Sequence, residues 1–204
     1  MSERAIGSPA ELREHYPPML DLIARKVLPA LDAHCRAFIA RSPLVMVATS
    51  GADGSCDVSP RGDPPGFVAV LDDHTLALPD RKGNNRLDAL GNVLENPHVG
   101  LLFVVPGIDD TLRVNGTARI STDPQLLEPM AIAGRLPASA LVVTVQEAFL
   151  HCGRAFKRGR VWDPAGYAAR GDVPTIGQAL ADQAAPTAHE RELIAQDERS
   201  PELY

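Results

Sequence analysis

Hydrophobic positions recur at helical spacing over the first forty residues, then switch to short runs of strand length after Pro43. Ser8-Pro9-Ala10-Glu11 predicts a helix start, with Ser8 as N-cap, Pro9 at the first helical position and Glu11 completing a capping box. Pro17-Pro18 interrupts it. A second helical stretch places Met19, Leu22, Ile23 and Lys26 on one side and stops at Pro29. A third, over 30–40, carries Leu31, His34, Cys35, Phe38 and Ile39 on one face.

Strand signals follow in pairs. Leu44–Ser50 and Ser55–Arg61 flank the turn Gly51-Ala52-Asp53-Gly54. Phe67–Leu71 and Thr75–Leu78 flank Asp72-Asp73-His74, and Val99–Val105 and Thr111–Ile120 flank 106–110. Leu141–Leu150 is a further strand. A helix over Arg86–Glu95 interrupts the series, with Leu87, Leu90, Val93 and Leu94 on one face, Asn84 or Asn85 as N-cap and Pro97 as stop. Thr175–Asp182 and Thr187–Arg199 predict short amphipathic helices, an arm packing on the barrel or on a partner. Hairpins at this spacing predict an antiparallel barrel of the α+β class, mainly β, with peripheral helices.

Composition narrows the function. The 204 residues are 45% hydrophobic and 23% charged, which suits a globular chain with a sizeable core. No apolar run reaches the ~18 residues of a membrane helix, and the polar start lacks a secretory core, so cytoplasm is the expected location with no membrane partner. A net charge of −6 and an aromatic content of 4% disfavour nucleic acid, leaving any anion site to a local basic cluster. Three widely spaced cysteines predict no disulfide framework, and no metal-ligand spacing occurs among the histidines.

Four segments carry candidate chemistry. In Asp80-Arg81-Lys82-Gly83-Asn84-Asn85-Arg86, three cations fall within six residues at a strand-to-helix junction. Free N–H groups and the helix dipole would add to them at a phosphate site. A solvated charged turn is the alternative. Asp57-Val58-Ser59-Pro60-Arg61-Gly62-Asp63 is either a polar strand facing a cofactor or an exposed edge strand. Arg113, Asn115 and Thr117 share one strand face, aimed at solvent or across an interface. His151–Trp162 holds Arg154, Lys157, Arg158 and Arg160 before the only tryptophan, a cationic loop with an aromatic lid for a planar anion. Cys152 lies close to Arg154 and Lys157, without a defined base.

The run from Ser42 to Trp162 resembles the pyridoxamine 5′-phosphate oxidase-like FMN-binding split barrels. The resemblance is carried by Asp57–Asp63, Leu78–Arg86, Asn96–Phe103, Leu112–Gly116 and His151–Ala155, in that order. It implies a split β-barrel, organised as one domain over 1–204 with N-terminal helices (1–41), barrel (42–162) and C-terminal arm (163–204). It implies FMN as cofactor, and a homodimer with flavin at the subunit interface. The family's phosphate-gripping Ser-Arg-Lys stretch falls on Asp80, Arg81 and Lys82, so Arg81 and Lys82 inherit the phosphate, helped by Asn84, Asn85 and Arg86. Asp80 replaces the serine and would repel a dianion unless turned elsewhere. Leu78 and Pro79 would lie beside the flavin, and Val58, Ser59, Pro60 and Arg61 on the strand facing its ring, with Arg61 nearest ring or substrate. Arg113, Asn115, Arg154, Lys157, Arg158 and Trp162 would approach from the partner subunit.

The function implied is an FMN-dependent oxidoreductase acting on a small molecule of unspecified identity, with no protein acid or base nominated. The family's basic C-terminal signature is missing from Ser200-Pro201-Glu202-Leu203-Tyr204, so pyridoxamine phosphate is not the expected substrate. The alternative is a non-catalytic flavin carrier or a haem- or deazaflavin-binding barrel, with His151 or His98 as axial candidates. A nucleic-acid or protein-interaction module would need a broad basic or apolar face that the sequence does not offer.

Overall fold

A computed structural model describes residues 5–199, so the expectations about Ser200–Tyr204 lie outside the described residues. The chain forms an α+β, mainly β structure. Seven strands make one antiparallel sheet: β1 (Leu44–Ser50), β2 (Cys56–Gly62), β3 (Ala69–Val70), β4 (Thr75–Asp80), β5 (His98–Val104), β6 (Thr111–Ser121) and β7 (Ser139–His151). Their order across the sheet is β2-β1-β5-β6-β7-β4-β3. The alternation Val45, Val47 on β1, Leu101, Phe103 on β5 and Leu112, Val114 on β6 buries one face completely. Leu76, Leu78, Val143 and Val145 close the same core from β4 and β7.

The sheet curls until β2 approaches β4, but no backbone ladder joins those two strands. Side chains bridge the gap instead: Arg61 on β2 pairs with Asp80 at the end of β4, and Asp63 just after β2 pairs with Arg81 just after β4. This is the split of a split barrel.

Two features fit the long strand β7 to its neighbours. Gln146 is an extra residue where Asn115 faces Glu147 but Gly116 faces Val145. Gly116 permits this bulge because a Cβ there would stand 2.0 Å from the Thr144 carbonyl oxygen. Beyond the reach of β4, the free edge of β7 is met by Leu28, which exchanges two backbone bonds with Ala148 at 3.0 and 2.8 Å.

Among the described residues, eight α-helices surround the sheet: α1 (Pro9–Glu14), α2 (Asp21–Arg25), α3 (Ala33–Ile39), α4 (Asp88–Glu95), α5 (Pro124–Leu127), α6 (Arg154–Gly159), α7 (Ile176–Gln183) and α8 (Ala188–Arg199). Ser8 caps α1 as predicted, but the Glu11 carboxylate accepts from Gly7 N–H rather than from the cap residue. Asp32 caps α3, which buries Cys35 and Ile39 and leaves His34 exposed, because His34 lies one position off the buried stripe. The α2 face does not reach the core: Met19, Leu22 and Ile23 are all exposed. A capping box at Thr175 and Gln178 starts α7, which meets α8 where Gly177 N–H donates to Glu198.

Three further expectations change. The strand expected over Phe67–Leu71 shrinks to Ala69–Val70, because Pro64-Pro65-Gly66 forms a turn closed by Phe67 N–H to the Pro64 carbonyl. The segment after His151 is helical, not a loop: α6 starts where Gly153 packs against Asp109 and donates to the Asp110 carboxylate. The helix expected from Arg86 begins at Asp88, since Leu87 adopts a left-handed conformation with φ of 61°. Its buried face is Ala89 and Val93, while Leu87 and Leu94 are 56% and 77% exposed. Among the described residues no helix is long and apolar enough to cross a membrane.

Candidate functional site: a cationic groove at the split

A wide concavity lies at the split. It is a groove of about 530 Å³ walled by β2 (57–62) on one side and by residues 79–89 on the other. Its geometry follows from the two strands. On β2, period-two alternation turns Asp57, Ser59 and Arg61 inward and Val58 and Pro60 outward. On β4, four consecutive buried residues end at Pro79, and the chain then leaves the sheet through Asp80 and Arg81 into the loop before α4.

Four cations line this groove in an acidic protein: Arg61, Arg81, Lys82 and Arg86. Each guanidinium also holds a carboxylate. Arg81 Nε donates to Asp63 at 2.6 Å, and the Asp63 side chain is wholly buried behind it. Arg61 donates to Asp80 across the split. Arg86 Nε donates to Asp88 at 2.7 Å, and that bond is the main cause of the raised Arg86 pKa. An arginine offers five N–H donors, so the carboxylate bonds of Arg61 and Arg86 leave others for an anion. Asp80, the residue whose charge threatened a phosphate site, is turned to Arg61 and neutralised there. Arg61 thereby sits against Asp80, the residue before Arg81.

The α4 helix fixes the opposite wall. Asn92 Nδ2 donates to Thr49 Oγ1 at 3.1 Å and to Asp57 Oδ2 at 2.8 Å, tying the helix to β1 and β2. Asn96 Nδ2 donates to Ser50 Oγ at 2.8 Å. These amide bonds set the distance between β2 and the loop, and they were not legible as site features in the sequence.

The structure therefore brings Val58, Ser59, Pro60, Arg61, Pro79, Arg81, Lys82, Asn84, Asn85 and Arg86 to one groove. Leu78 is buried just beneath it, facing a small void shared with Arg61, Asp80 and Leu90. The other expected residues lie elsewhere on this chain. Arg113 and Asn115 are on the outer face of β6, where Asn115 donates to Glu147 at 3.0 Å and Arg113 stacks over Phe149. Arg154, Lys157 and Arg158 belong to α6, and Trp162 folds back on Phe156 and donates to the Ile108 carbonyl at 3.0 Å. No histidine, cysteine or methionine lines the groove, so neither His98 nor His151 is placed as an axial ligand there.

The outer sheet face around these residues is open. Register pairs place Pro60, Met46, Leu102, Arg113 and Phe149 in one cross-strand row and Val58, Ala48, Gly100, Asn115 and Glu147 in the next. At the β2 edge this face meets the groove, and Val58 is 66% exposed.

Among solved structures, the chain is similar to a variant of HupZ from Group A Streptococcus, at 20% identity over 59% of this chain and 98% of that one, with a TM-score of 0.50. At that identity the likeness concerns the fold. A provisionally named pyridoxamine 5′-phosphate oxidase from Lactobacillus delbrueckii superposes with a TM-score of 0.48, at 22% identity over 60% of this chain and 95% of that one. An FMN-binding protein from Syntrophomonas wolfei gives 0.46, at 12% identity over 57% and 83%. No curated protein matches the chain. The sequence pattern of the family described as pyridoxamine 5′-phosphate oxidase matches residues 31–152, from the start of α3 through the whole barrel to the residue after β7. The chain belongs to the pyridoxamine 5′-phosphate oxidase family.

Proposed function

We propose that this protein binds FMN in the groove at the split and acts as an FMN-dependent oxidoreductase. The observation that carries the reading is that Arg61, Arg81, Lys82 and Arg86 all line one groove sized for a small-molecule cofactor. The donor set fits a phosphate: guanidinium groups and the Lys82 ammonium, flanked by the amides of Asn84 and Asn85. Arg81 and Arg61 are held in place by Asp63 and Asp80, so a ligand meets them without first ordering long side chains. Flavin supplies the hydride and electron transfer; the protein supplies binding, orientation and exclusion of water.

The same reading includes a homodimer. The outer face of β2, β1 and β5 presents Val58, Pro60, Met46, Ala48 and Leu102 without a covering helix of its own, next to the open side of the groove. A second copy docked there would bury that surface and bring its Arg113, Glu147 and Phe149 close to the flavin site.

Titration of the purified chain with FMN, followed by flavin fluorescence, tests the assignment. Removing the Arg81 side chain is expected to weaken binding by about 1.5–3 kcal/mol through lost charge-assisted bonds. Because this change bares the buried Asp63 carboxylate, the informative variant is Arg81→Ala combined with Asp63→Ala. Unchanged FMN affinity in that double variant, and in Lys82→Ala and Arg86→Ala, would remove the phosphate assignment.

A further inference from the structure

We propose that residues 84–87 form a coil poised to wind onto the N-terminus of α4 when a phosphate-bearing ligand enters the groove, carrying Leu87 from solvent toward the ligand. This rests on the reading of the groove as a phosphate site. Sequence and structure disagree here in a specific way. The signal Asn84-Asn85-Arg86-Leu87-Asp88, with Asn84 or Asn85 as N-cap, predicts a helix beginning two or three residues earlier than the one formed. In the structure, the first backbone bond of α4 runs from Gly91 N–H to the Leu87 carbonyl at 2.8 Å, and Leu87 offers no capping side chain. Half of the longer helix's cap is nevertheless in place. Asn84 Oδ1 accepts the Arg86 N–H at 3.1 Å, the bond an N-cap makes to the second residue of its helix.

What keeps the turn unwound is the backbone at Asn85 and Leu87, with φ of 58° and 61°. A left-handed leucine is unfavourable, since its Cβ crowds the following carbonyl, and here its side chain is also left in solvent. Winding returns both residues to ordinary helical φ. It also places Leu87 one turn before Leu90, which is partly buried against the core beneath the groove. The extended helix directs additional N–H groups and the positive end of its dipole at the groove that residues 84–89 line. A bound anion therefore favours the wound form over the coil, and Arg86 can exchange its local bond to Asp88 for the ligand.

The test is amide hydrogen exchange on the full chain, with and without FMN, beside FMN affinities of Leu87→Ala and Leu87→Gly. On FMN addition the amides of Asp88, Ala89 and Leu90, which gain helical acceptors at 84–86, are expected to slow at least ~10-fold. The two variants remove the same side chain beyond Cβ, so their ratio reports the backbone. Glycine favours the coil and is expected to bind FMN about fivefold more weakly than alanine. FMN uptake without slowed exchange, or a glycine variant that binds as tightly as alanine, overturns the winding alone. A wild-type chain that takes up no FMN overturns the groove reading and the winding together.

Discussion

At the residue scale, the cluster Arg81-Lys82-Arg86 was legible from local sequence because its members lie within six positions. Their counterions were not, because Asp63 and Asp80 find their arginines only when the sheet curls and β2 meets β4. Asp63 shows what this costs. Its carboxylate is wholly buried, so the pair with Arg81 is worth having only while both partners are present. Arg81→Met, which leaves the buried Asp63 carboxylate without its guanidinium, should destabilise the fold by about 3–5 kcal/mol, and adding Asp63→Leu should recover most of that loss. Urea denaturation decides it: a single variant as stable as wild type would contradict the buried-pair account. Asp32 gives a pH signature. The Cys35 N–H bond to its carboxylate, at 2.8 Å, is the main cause of its lowered pKa. A group depressed in the folded state stabilises above its unfolded value and loses that contribution as pH falls through the folded one. The stability advantage of wild type over Asp32→Asn should accordingly shrink below about pH 4. A gap that widens on acidification would reverse the sign. Burial pushes the Cys35 thiol up to about 11, so alkylation of the native chain at neutral pH should label Cys56 and Cys152 and spare Cys35.

At the element scale, hairpin spacing placed six of the seven strands almost to the residue, because alternation and Gly/Asp turns are local signals. β3 was overdrawn, since the Pro-Pro-Gly turn before it consumes two expected strand residues. α5 went unread although Asp123-Pro124 is a helix start, with Asp123 accepting from Gln125 N–H at 3.0 Å. The β6–β7 bulge is a tertiary feature that no periodicity reports. Its requirement for glycine is absolute in space: Gly116→Ala sets a carbon on the Thr144 oxygen and should cost about 3 kcal/mol or more. A Gly116→Ala variant melting with the wild type would show that the bulge relaxes freely. For α4 the sequence and structure differ over the first turn alone, and that turn borders the groove.

At the scale of the whole molecule, family membership was legible from the order of the motifs, and the family's sequence pattern matches residues 31–152. The split itself was not legible as geometry: it emerges from a sheet whose edge strand ends in Arg61 and Asp63. Arg113, Asn115 and Arg154 were expected near the pocket, and on this chain they lie outside the groove. Only a second copy would bring them to a flavin, so the dimer and the cofactor are linked expectations. Val58→Lys places a charge in the middle of the proposed interface and should yield monomers by sedimentation, with FMN affinity falling in parallel. The central claim remains the cofactor. The absorbance spectrum of the chain after FMN loading and gel filtration tests it most directly. Co-elution of flavin with protein near one FMN per chain, lost in the Arg81→Ala and Asp63→Ala double variant, is the predicted result. Protein that elutes colourless after saturation with FMN would contradict it.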